Sequence, residues 1–86
     1  MTTTQATWDL KVSSRRGWPV AVQARRHRFL AGVPVQFDDK YEHVTALEYV
    51  LGGVAADLVG TLQYLAVRQR VPLSSVEAVV SGSLRN

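Results

Sequence analysis

The stretch Thr45–Arg70, TALEYVLGGVAADLVGTLQYLAVRQR, constrains this chain more than any other. Leu47, Leu51, Val54, Leu58, Leu62 and Leu65 recur at spacings of three and four, which predicts one long amphipathic helix with a broad apolar stripe. Thr45 suits the N-cap, and Glu48 three residues on completes the spacing of a capping box. Val44 and Tyr49 fit a hydrophobic staple across that start. Pro72 cannot continue a helix and biases Val71 out of the helical region, so the helix should end near Arg70. Arg68 and Arg70 suit the negative end of the helix dipole.

Length makes this helix decisive. Its residues at about 1.5 Å each span about 39 Å. A compact domain of 86 residues is about 30 Å across. The helix therefore outruns the globule that its own chain can build, and either protrudes or is covered by a second chain. A chain this short buries only about 60% of its unfolded surface. It has no cysteine, so neither a disulfide nor a thiolate metal site can staple it. These three facts predict a dimer or larger assembly.

Gly52, Gly53, Ala55, Ala56 and Gly60 cluster at mid-helix. A glycine inside a helix costs up to about 1 kcal/mol relative to alanine. Such a cluster predicts that another helix, a strand or a ligand approaches the backbone closely, with plain close packing against the sheet as the simpler alternative. Asp57 lies in a row with Val50, Val54 and Thr61, and a lone carboxylate among apolar residues is a candidate site. The alternative is a structural acid paired with an arginine.

The rest of the chain predicts short strands. Met1–Gln5 is a polar lead, expected to fray. Ala6–Ser13 alternates Trp8, Leu10 and Val12 with Thr7, Asp9 and Lys11. Ser14–Gly17 reads as a turn. Trp18–Leu30 reads as a second strand, but Arg26 and Arg28 would share a face with Val20 and Val22 unless a turn or bulge resets the register. Val33–Phe37 and Val76–Ser83 complete about four strands. The predicted fold class is α+β: one domain over 1–86, with a small antiparallel meander and one strand after the helix, all packed on one long central helix at about 45–70.

The net charge of +3 is uneven. Residues 1–36 hold Lys11, Arg15, Arg16, Arg25, Arg26 and Arg28 against Asp9 alone, while residues 37–86 carry an acidic excess. A basic half can meet nucleic acid or an anionic ligand. The flanks lack the aromatic interleaving of single-strand platforms, so nucleic acid is not the expected partner. No signal peptide is legible. Leu47–Ala66 is apolar enough for a membrane span, but an acid at mid-bilayer costs about 2.5–3.5 kcal/mol, so a cytoplasmic location is expected. Asp38, Asp39, Glu42 and His43 are close in sequence without a metal-ligand spacing, and no phosphate loop or nucleophile–base pair is legible. No metal or cofactor is expected.

The segment FDDKYEHVTALEYVLGGVAADLVGTLQYLAVRQRVPLSSVEAVVSG resembles the OsmC/Ohr family of thiol peroxidases. The resemblance rests on the helix start Thr45-Ala46-Leu47-Glu48-Tyr49, the small stretch Gly52–Ala56 and the exit Arg70-Val71-Pro72-Leu73. It covers most of residues 20–83 and matches the N-terminal half of such proteins. It implies the family's fold and its place in stress response. Ala46 stands where the family usually has proline. The family's peroxidatic cysteine falls at Asp57 and its activating glutamate at Leu47, one residue before Glu48. The assisting arginine corresponds to Arg15 or Arg16. A carboxylate cannot form a sulfenic acid, so the resemblance implies no catalytic residue and no peroxide reduction by this chain alone. Asp57, Glu48, Arg15 and Arg16 are the candidate pocket residues. The functions that follow are a non-enzymatic dimer with a small-molecule pocket beside the helix, half of a split peroxide-reducing enzyme completed by a complementary OsmC-like chain, or a basic nucleic-acid-binding module.

Overall fold

The computed structural model describes residues 5–85. The expectation for the first four residues falls outside them. The chain is α+β, with element order β1 (Leu10–Ser13), β2 (Val20–Ala24), β3 (His27–Ala31) and α1 (Ala46–Arg68). It divides into two compact units, one running to Ala46 and the other starting at Leu47.

In the first unit the strands form an antiparallel meander in the order β1-β2-β3. The arginine conflict is resolved by a turn. Arg25 and Arg26 form a two-residue loop, with Ala24 paired to His27. Arg25 takes a positive φ of 55°, as the first central residue of a II′-type hairpin does. The segment expected as one strand is thus two. The register sorts the faces. Leu10, Val12, Val20, Val22, Phe29 and Ala31 share one face, and Lys11, Gln23 and Arg28 form a cross-strand row on the other.

Val33–Phe37 is not a strand, which corrects the sequence expectation. The Gln36 side-chain oxygen accepts from the amides of Phe37 and Asp38, taking donors that a ladder would need. Asp38 continues the loop, its carboxylate accepting from the Lys40 amide. The loop closes on itself. The Gly32 amide donates to the Val44 carbonyl at 2.8 Å, the Val33 amide to the Tyr41 hydroxyl at 3.1 Å and the Ala46 amide to the Val33 carbonyl at 3.4 Å. Tyr41 and His43 meet edge to face. Here Ala31 and Thr45 are buried, so this closure is the small core of the first unit.

In the second unit α1 begins right after Thr45, which therefore occupies the N-cap position, and ends at Arg68. The Val71 amide donates to the Ala66 carbonyl and the Arg70 amide to the Val67 carbonyl, with Arg70 at φ 56°. This is a Schellman cap with arginine at the position where glycine is usual.

Among the described residues Val76–Ser83 forms no strand either, and the sheet has three strands rather than about four. Val76 lies by Leu62 and Ala66, and Gly82 lies against Leu51. That shift along α1 is about 20 Å at 1.5 Å per residue. Six residues cover it only if extended, at about 3.3 Å each. The segment has the alternation of a strand but, among the described residues, no neighbouring strand to bond.

Candidate functional site

Among the described residues, each unit holds a cleft. In the second unit, an apolar cleft of about 570 Å3 lies between the end of α1 and the chain that returns from it. Leu62, Leu65 and Ala66 line one side, and Val71, Leu73 and Val76 the other. Gln69 and Ser75 supply its polar groups. The Schellman cap builds this cleft, because the reversal at Arg70 turns Val71 back beside Ala66. Such a volume and lining suit a small apolar ligand. Sequence periodicity placed Leu62 and Leu65 on the stripe, but nothing local announced the second wall.

In the first unit, a cleft of about 500 Å3 lies on the basic face of the sheet, lined by Ser13, Arg15, Pro19, Ala21, Arg28 and Leu30. A smaller hollow beside it adds Lys11 and Gln23. Of the four candidate residues, Arg15 lines this cleft. Arg16 lies in the adjoining bend with a positive φ of 57°, followed by Gly17 at 98°. In the sequence Arg28 counts only as one of the arginines of a basic module, with Arg15, Arg16, Arg25 and Arg26, and not as a pocket residue. The signal was the register, since only a turn at Arg25-Arg26 moves Arg28 from the apolar face to the face of Lys11.

Glu48 and Asp57 are both exposed on α1. Nine residues at about 100° each put them on opposite sides of the helix, so the helix does not bring them together. Val50 and Val54, which flank Asp57, are 62% and 56% exposed, so no apolar wall closes over the carboxylate within the described chain.

The leucine stripe is equally open. No residue of α1 is buried, and Val54, Leu58, Leu62 and Leu65 are 56%, 60%, 53% and 46% exposed. A Cβ added at Gly52, Gly53 or Gly60 would meet nothing within 4 Å. The helix is long and apolar enough to cross a membrane by length and composition alone. Among the described residues no group of His, Asp and Glu could hold a metal ion. No protein-family model, curated protein or solved structure matches this chain.

Proposed function

We propose that this chain is a non-catalytic, self-associating OsmC-like subunit, whose long helix packs against a second copy and whose small-molecule pocket lies beside that helix. The observation that carries the reading is the leucine stripe of α1, apolar at every core position and buried at none. A stripe of this width exists to be covered. A helix that is already amphipathic in sequence loses its main source of stability if that face stays wet.

Magnitudes set the kind of association. Covering what remains exposed of a half-exposed leucine gains about 1 kcal/mol, or half of the value for full burial. Two copies then gain on the order of 10 kcal/mol, against an association cost of about 4–15 kcal/mol. The result is a dimer that depends on concentration. Asp57, at the midpoint of α1, supports assembly in water, in the cytoplasm, over insertion into a bilayer. In the assembled state Val76–Ser83 gains a neighbour and becomes the fourth strand of a sheet packed on the helix. The absence of cysteine leaves the subunit without the family's thiol chemistry.

Light scattering across a dilution series tests this reading. The expected result is a dimer that dissociates on dilution, with Leu58→Glu and Leu62→Glu monomeric at all concentrations. A well-folded monomer at high concentration would remove self-association. If the chain folds only with a cysteine-bearing complementary chain, it is instead half of a split enzyme.

A further inference from the structure

We propose that the cleft between Arg15 and Arg28 binds the oxyanion of a small phosphate monoester, with the ester's apolar body against Pro19 and Leu30. This inference is independent of self-association, since every residue concerned lies in the first unit.

The chemistry of the lining leads to the ligand class. Arg15, Arg28 and Ser13 line one cleft, and no acidic residue lines it. Among the described residues neither the Arg15 nor the Arg28 guanidinium has a hydrogen-bond or ion-pair partner. Guanidiniums present a planar fork that matches phosphate oxygens two at a time, and these are among the stronger hydrogen bonds in water. Lys11 stands on the same face, across Gln23 from Arg28, and adds to the positive field without crowding the cleft. The strands fix the spacing. Ser13 pairs with Ala21 and Ala21 with Leu30, so hydroxyl, small floor and apolar wall lie in one cross-strand row. Arg15 enters from the bend, where the positive φ values of Arg16 and Gly17 reverse the chain beside that row.

Size and composition separate a small ester from a polynucleotide. A volume of about 500 Å3 is that of a small-molecule site. No aromatic ring lines the cleft, whereas single-stranded nucleic acid is held by stacking on aromatic platforms.

The test is a titration of the full chain with phenyl phosphate, followed by amide chemical shifts, with inorganic phosphate and a single-stranded oligonucleotide run in parallel. Phenyl phosphate should saturate, shift the amides of residues 13–15 and 28–30, and bind more tightly than inorganic phosphate. Arg15→Ala and Arg28→Ala should each weaken it about tenfold, the loss expected for one charged hydrogen-bonding group. Arg28→Lys should weaken it too, since the charge remains and the fork does not. Arg85→Ala, which removes a charge from the second unit, should leave affinity unchanged. Equal weakening by Arg85→Ala, full retention in Arg28→Ala, or no saturation in the millimolar range would each overturn the proposal. So would tighter, steeply salt-dependent binding of the oligonucleotide, which would make this face a polyanion surface instead.

Discussion

The Tyr41 ring occupies the space that a side chain at residue 32 would need. A Cβ at Gly32 would stand 2.5 Å from Tyr41 Cε2, 2.7 Å from the Tyr41 oxygen and 2.9 Å from His43 Cβ. The tyrosine cannot simply swing away, because its hydroxyl accepts the Val33 amide proton. Gly32→Ala should therefore destabilise the first unit by about 1–3 kcal/mol, the usual range for overpacking. Urea unfolding measures this. Tyr41→Ala in the same chain clears most of the space, so the double variant should lose less than the two single losses together. Strict additivity would show that the ring does not set the cost.

Tyr41→Phe keeps the ring and removes the acceptor. The Val33 amide, part-buried, then loses its partner. The expected loss is about 1 kcal/mol, with faster hydrogen exchange at Val33 and little change along β1. Unchanged exchange at Val33 would mean that water replaces the hydroxyl freely.

Arg70→Gly should stabilise α1. The cap places residue 70 in the left-handed region, which costs a side-chain-bearing residue about 1–2 kcal/mol and glycine almost nothing. Part of that gain is lost to the greater freedom of glycine in the unfolded chain. A net gain of up to about 1 kcal/mol in thermal unfolding is expected. A loss would show that the arginine side chain itself holds the cap.

Arg25 in the hairpin loop also holds a positive φ on a residue with a side chain. Arg25→Gly should relieve the positive φ of 55° and strengthen the β2–β3 hairpin. Arg25→Val should weaken it by more than 1 kcal/mol, about the left-handed penalty with β-branching added. Amide exchange at Val22 and Phe29, which face each other, reports both changes. Equal effects of glycine and valine would remove the turn argument.

Gly52 and Gly60 test which side of α1 is covered. They project away from the leucine stripe, and each meets open space. If the second copy covers the stripe, Gly52→Ala and Gly60→Ala should each stabilise the dimer by up to about 1 kcal/mol through helix propensity. If the partner helix lies along the glycines instead, the added methyl groups should weaken association in the dilution series, and the interface assigned to the leucines would have to move.

The helix was legible in the sequence because its signals are local. Threonine at 45, the leucine spacing and Pro72 act within a turn or two of each other, and the helix runs from Ala46 to Arg68, inside the expected limits. The clash of Arg26 and Arg28 with Val20 and Val22 was legible too, and it left a turn and a bulge both open; the structure has the turn. What sequence could not decide was where that turn lies, because arginine carries no preference for the φ it adopts at 25. Placing the turn at Arg25-Arg26 put Arg28 on the face of Lys11, and so into one cleft with Arg15. The last stretches show the same division. Val33–Phe37 and Val76–Ser83 alternate as strands should, yet the first gives its Val33 amide to Tyr41 and its Phe37 amide to Gln36, and the second has no strand beside it among the described residues. Alternation determines which residues could share a face. Only tertiary structure decides whether a hydrogen-bonded neighbour exists to make that face a sheet, because a strand, unlike a helix, cannot satisfy its own backbone.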